Sequence, residues 1–286
     1  MRTSRRLSIA LAVAVLAALA PAAARAAQGT FDRTLHVSGQ LVLSVNTGAG
    51  YIHITPGPAG EIHIVGHVQS SAWAFGGSSA ADRVRQVVDH PPIDQSGNIV
   101  TIGRHMQFRN VSIDYDVTAP RGTQLDVGSG SGNLRIDGLG GSLKANTGSG
   151  SIQADGASGS VSLNSGSGNI EASLHSASDV RARTGSGGIR LQGVTGSLYA
   201  QTGSGNIQVA GRPTAGWQLH TGSGDVTLST GGAAFTLDAS TGSGSIHSGP
   251  AITTHGNLGH HHIQGDINGG GPTVRVSTGS GDIRIQ

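Results

Sequence analysis

The chain has 286 residues, of which 48 are glycine and none is cysteine; aromatic residues make up 3% and the formal net charge is +2. The lack of cysteine rules out disulfides and a lipid-modified cysteine as anchors of the fold, and so few aromatics leave a conventional globular core hard to fill. Lys144 is the only lysine, which argues against a nucleic-acid-binding stripe.

The chain opens with a charged start, Met1 to Arg6, followed by the apolar run Leu7 to Ala20 and the exit Ala24-Arg25-Ala26. That order is the pattern of a secretory signal peptide, cut between Ala26 and Ala27. The apolar run is short for a membrane span, and its Leu-rich character favours the general secretory route over twin-arginine export despite Arg5-Arg6. Once Arg2, Arg5, Arg6 and Arg25 leave with the leader, acidic residues outnumber basic ones, so the basic pI of the whole sequence says little about partners. The expected location is extracytoplasmic: periplasm, cell surface or medium. No later stretch is apolar enough to cross a bilayer as a helix.

Residues 27–126 are irregular. The segment Val45-Asn-Thr-Gly-Ala-Gly-Tyr-Ile-His-Ile54 is an early copy of a corner phrase that dominates the second half. The stretches EIHIVGHVQ (61–69) and NIVTIG (98–103) alternate as strands do. Between them, Val84, Val87 and Val88 follow helical spacing from Ser79 to His90 and stop at Pro91-Pro92, predicting a short helix. Terminal units of repeat folds are atypical because they close an open apolar end, so this segment is read as the cap.

Residues 127–286 repeat the phrase Gly-Ser-Gly-x-(Ile/Leu/Val). Its first glycines are Gly130, Gly148, Gly166, Gly185, Gly203, Gly222, Gly242 and Gly279, spaced 18, 18, 19, 18, 19, 20 and 37 residues apart. The last gap is about two periods. Between phrases lie alternating apolar pairs such as Leu143/Ala145, Ile152/Ala154, Val161/Leu163 and Ile170/Ala172, the period of a strand. The odd separation from Ala145 to Ile152, and again from Ala154 to Val161, requires a corner that resets the chain.

Each period therefore reads as strand, corner, strand, corner. Glycine in the corner supplies positive φ and lets stacked backbones approach closely, at about 0.5–1 kcal/mol of entropy each. Inward aliphatic side chains, at about 1.5–3 kcal/mol for each large one, outweigh that cost. Such strands bury nothing alone, but stacked coils align like residues into apolar columns. The expected fold is all-β: a single-stranded β-solenoid of about 18–20 residues per coil with an irregular N-terminal cap. The competing arrangement is an antiparallel meander with the glycine phrases as hairpin loops; the near-constant period favours the solenoid. The domain reading is 1–26 signal peptide, 27–126 N-terminal strands and cap, and 127–286 repetitive solenoid continuous with the preceding segment.

The segment VSIDYDVTAPRGTQLDVGSGSGNLRIDGLGGSL (111–143), the phrases that follow it, and the closing INGGGPTVRVSTGSGDIRI (267–285) resemble the bacterial "putative adhesin" family of β-helix-like domains of unknown function. The resemblance covers most of the mature chain. It implies a right-handed β-helix-like fold in an exported, envelope-associated protein, and it carries over no catalytic residues.

Several residues invite chemistry. On a strand, His260 and His262 share a face and suit a soft divalent metal, but no Cys, Asp or Glu cluster lies near them in sequence, so a solvated histidine run is the preferred reading. Gly222 to Asp225 and Gly279 to Asp282 resemble a calcium β-roll, yet the equivalent position elsewhere is Asn133, Ser151, Asn169, Gly188, Asn206 or Ser245, which favours a structural polar corner. Thr147, Thr184, Thr202, Thr221, Thr241 and Thr278 should align as a polar ladder that satisfies local backbone groups rather than a ligand. Asp114 and Asp116 share a strand face, read as solvent-facing, and Glu61 and Glu171 are the only glutamates. No catalytic set, metal site or cofactor is expected.

The leading expectation is a non-enzymatic, adhesin-like binding protein presenting a repetitive polar face to an envelope or extracellular ligand, carbohydrate or protein. A self-assembling envelope module pairing end to end through Asp282 to Gln286, and a carbohydrate-active enzyme on a β-helix scaffold, are the rivals from other classes.

Overall fold

The computed structural model describes residues 26–71, 79–104, 110–175, 179–254, 259 and 261–286. The leader reading lies outside these residues.

Two long sheets face each other, and the interior between them is lined by the inward side chains of the coil strands. Among the described residues, nine two-strand coils form the stack, each giving one strand to each sheet across a glycine corner. In stacking order they are Val42–Thr47 with Ile52–Gly57; Gln124–Ser129 with Leu134–Asp137; Leu143–Thr147 with Ile152–Ala157; Ser160–Ser165 with Ile170–Leu174; and Asp179–Thr184 with Ile189–Val194. Ser197–Thr202 with Ile207–Gly211, Trp217–Ser223 with Val226–Ser229, Thr273–Ser280 with Ile283–Ile285, and Phe235–Ser243 with Ile246–Ser248 complete it. The strand named first in each coil belongs to the sheet called B here, the second to sheet A. Pairing between coils is parallel throughout, so the chain is a β-solenoid and the hairpin meander is excluded.

The register is that of the sequence repeat. Leu43, Leu125, Leu143, Val161, Val180, Leu198, Trp217, Val274 and Leu237 make one continuous column inside sheet B. Ile52, Leu134, Ile152, Ile170, Ile189, Ile207, Val226 and Ile283 make its counterpart in sheet A. All are buried. Stacking like on like gives each aliphatic side chain neighbours of its own shape above and below, which is how a coil with only four or so inward residues reaches a closed core.

The corner glycines owe their place to distance, not to φ. A Cβ on Gly150 would stand 2.0 Å from the carbonyl oxygen of Gly132, and one on Gly205 would stand 2.0 Å from that of Gly187. Neither glycine has a positive φ. This corrects the sequence expectation of left-handed corner backbone. A Cβ on Gly48, in the first coil, would meet no described atom within 4 Å.

The C-terminal end departs from chain order. After Val226–Ser229 the chain skips a level, builds the ninth coil, returns through Ile252–Thr254 and the antiparallel strand His262–Ile267, and only then lays its last coil between the seventh and the ninth. The 37-residue gap is therefore this return path and not two further periods. Ile283–Ile285 pairs on both sides, with Val226–Leu228 and Ile246–Ser248. The final strand is not an exposed edge, so end-to-end pairing through Asp282 to Gln286 has no free strand to use.

At the other end the sheets continue past the first coil. Val111–Pro120 joins Ile52–Gly57 in parallel, and Glu61–Ser70 and Ala27–His36 follow antiparallel. Ile99–Ile102 and Ile93–Ser96 extend sheet B. The predicted helix is present as Ala80–Asp89; Ser79 Oγ caps it by accepting from the Asp82 N–H at 3.1 Å. It lies against Ala27–His36 and Glu61–Ser70, with Val84 and Val87 buried and Arg83 Nε donating to Ser70 Oγ. The expected division at residue 126 falls inside the strand Gln124–Ser129, and the first coil is supplied by the N-terminal segment.

Candidate binding face

The corner hydroxyls are internal. Thr202 Oγ1 donates to the Gly187 carbonyl of the preceding coil at 2.8 Å and accepts from the Gly205 N–H at 3.2 Å. The same pair of bonds is made by Ser129, Thr147, Ser165 and Thr184. Thr221, Thr278 and Thr241 likewise donate to the glycine carbonyl of the coil beneath. All are buried, so the ladder ties coil to coil and presents nothing to a ligand.

A second ladder runs along the outside of the corner. The side-chain oxygens of Asn133, Asn169 and Asn206 accept the backbone N–H of the equivalent residue one coil on, at 2.8–2.9 Å. Asp225 and Asp282 make the same contact, accepting from the Asp282 and Ser245 N–H groups, and Arg284 bridges their remaining oxygens at 3.2 and 2.7 Å. The Asp282 N–H, with help from Arg284, holds the Asp225 carboxyl below the usual carboxylate range. The two β-roll-like phrases are thus rungs of this ladder.

Asp114 and Asp116 do face outward, but they are engaged. At the N-terminal end of sheet A, Asp114 accepts the Tyr51 N–H at 2.9 Å and Asp116 accepts the Tyr51 hydroxyl at 2.8 Å. Burial and Asp116 push the Tyr51 phenol up to about 12, so it remains a donor. His53 stands between Asp116 and Asp137, at 3.4 and 3.1 Å, and His67 lies 3.5 Å from Asp116. This mesh ties four neighbouring strands together. Glu171 is in register with Arg190 and Glu61 with His36, at separate places on sheet A. His262 Nε2 lies 3.1 Å from Asp238, whose other oxygen meets Arg275 at 3.3 Å; His260 is outside the described residues.

A concavity lies on the outside of sheet B. A groove of about 740 Å³ crosses the strands Ser160–Ser165, Asp179–Thr184, Ser197–Thr202 and Trp217–Ser223. Ser162, Arg181, Tyr199 and Gln218 stand side by side along it, one from each strand, because the register places them opposite one another. Arg183 lies over the Tyr199 ring, 4.7 Å from its centre, and the Tyr199 hydroxyl donates to Gln201 at 2.7 Å. Asp179 accepts from the Ser197 hydroxyl at the groove's end. Sequence reasoning passed over these residues. Their signal was available in the even alternation, which turns Arg181, Arg183, Tyr199 and Gln201 outward on adjacent coils.

A family model described as Toastrack DUF4097 matches residues 94–286. The chain belongs to this family. The match takes in eight of the nine Toastrack coils; it begins inside the strand Ile93–Ser96 and leaves out Ala27–His36, the first coil, Glu61–Ser70 and the helix Ala80–Asp89. No curated protein sequence matches the chain. Among solved structures, a "putative adhesin" from Bacteroides fragilis is 13% identical, covering 90% of this chain and 97% of that one with a TM-score of 0.41. A "putative cell adhesion protein" from Clostridium sporogenes is 11% identical, covering 90% and 99% with a TM-score of 0.26.

Proposed function

We propose that this Toastrack protein is an exported, non-enzymatic, adhesin-like binding module acting outside the cytoplasm. The observation that carries the reading is the division of labour in the coil: aliphatic and hydroxyl side chains are consumed inside, and the outer faces are left as long, rigid, polar surfaces. On such a rod, many weak contacts along successive coils replace one deep pocket, and avidity supplies the affinity. The leader pattern at residues 1–26 supports export. The outward carboxylates described above are tied to amides, imidazoles and guanidiniums at several separate places, an arrangement that suits structural cross-linking better than paired acid and base chemistry.

Cell fractionation should place the protein outside the cytoplasm, and the purified monomer should bind whole cells or members of a glycan array. Cytoplasmic retention, or silence in both assays with no effect of gene deletion on surface attachment, would defeat the reading. A self-assembling module is the second reading, supported by the outer side of Ile246–Ser248 at the end of sheet A, which no described strand pairs with. Concentration-dependent sedimentation would favour it.

A further inference from the structure

We infer that the groove on the outside of sheet B binds an acidic polysaccharide, one whose sugars carry carboxylates; this rests on the binding-module reading and gives it a site. The groove combines two chemistries. Arg181 and Arg183 project from the same strand, two residues apart, and among the described residues neither meets a carboxylate partner. The neighbouring carboxylate, Asp179, is engaged with Ser197. Arg183 places its guanidinium over the Tyr199 ring, 4.7 Å from the ring centre, and a guanidinium is the group that recognises a carboxylate by paired hydrogen bonds.

The lining also carries uncharged hydrogen-bonding groups, the Ser162 and Ser197 hydroxyls and the Gln218 amide. These match sugar hydroxyls. The small serines lower the floor while Arg183 and Tyr199 stand beside it. Parallel strands about 4.7–4.9 Å apart present one polar side chain per rung, so an extended polymer lying across the coils meets a repeating donor set. A nucleic acid is a poorer fit, because the groove's aromatic ring, Tyr199, is half-buried and already covered by a guanidinium, which leaves base stacking no free platform there.

The test is calorimetric titration of the full mature chain with polygalacturonate, with neutral dextran and single-stranded DNA as comparison ligands. Polygalacturonate should bind, weaken as salt rises, and lose at least tenfold in affinity in the Arg181→Ala/Arg183→Ala double variant, whose melting temperature should match the wild type because both side chains are exposed. Arg183→Lys should not restore affinity. Wild-type protein that ignores polygalacturonate, or binds it equally after the double substitution, overturns the inference, and equal binding of DNA overturns the polysaccharide assignment. Cell or glycan-array binding that survives any of these results would leave the binding-module reading standing without this site.

Discussion

Replacing Thr202 by valine separates two explanations of the corner column. Thr202 is 1% exposed, and valine has nearly its shape. The substitution removes the hydroxyl that donates to Gly187 O and accepts from Gly205 N–H. The Gly187 carbonyl is then buried without a partner, at about 1–3 kcal/mol, while the added methyl returns about 0.8 kcal/mol. Water can reach the Gly205 N–H, which is only half-buried, so it adds little. The net loss is about 0.2–2.2 kcal/mol, with a midpoint of about 1.2. Thr202→Ser keeps both bonds, as Ser129 and Ser165 do in the same column, and loses one methyl, at about 0.8 kcal/mol. Urea denaturation should therefore rank threonine first, serine second and valine last, and hydrogen exchange at the Gly205 amide should accelerate only in the valine variant. A valine variant as stable as the wild type, with serine below both, would mean that burial alone holds the corner and that the hydroxyl ladder is incidental.

Gly205→Ala should destabilise the chain by more than 3 kcal/mol, because its Cβ meets backbone 2.0 Å away that cannot move without opening the sheet; Gly48→Ala, facing open space, should lie within about 0.5 kcal/mol of wild type in the same melt. Ending the chain at Gly271 removes the strands that fill the level between the seventh and ninth coils, taking the buried Val274, Val276, Ile283 and Ile285 with them. Limited proteolysis should then cut throughout 217–271, and continued protection there would contradict the interleaved order. Asp225 has a depressed carboxyl in the fold, so its contribution is present above the ordinary carboxylate value near 3.9 and is lost as pH falls through the lower folded value. Acid titration of melting temperature should show less loss below about pH 4 in Asp225→Asn than in wild type.

The coil was legible in the sequence because its causes are local. Alternation of Leu143/Ala145 or Ile189/Leu191 fixes which side chains turn inward, and the spacing of the glycine phrases fixes where the chain must bend. The helix after Ser79 was legible for the same reason, a cap followed by a valine stripe ending at two prolines. The groove on sheet B was only half legible. Alternation turns Arg181 and Tyr199 outward, but their adjacency depends on the register between coils, and the stacking of Arg183 on Tyr199 depends on side-chain packing across two strands.

By itself, then, the sequence determined the period, the inward residues and the polar corners. It did not determine which coil touches which. The corner phrases at Gly222, Gly242 and Gly279 are nearly identical, so each fits above or below the others with similar local energy, and local pattern leaves their order degenerate. Tertiary packing broke that degeneracy: the strand His262–Ile267 pairs antiparallel with Phe235–Ser240 and turns the chain back at the level where the last coil enters. The threonine ladder along the corner was expected to satisfy local backbone groups; the packing decided that its partners are glycine carbonyls of the neighbouring coil, because a hydroxyl can satisfy a buried glycine carbonyl only when another coil lies beneath it.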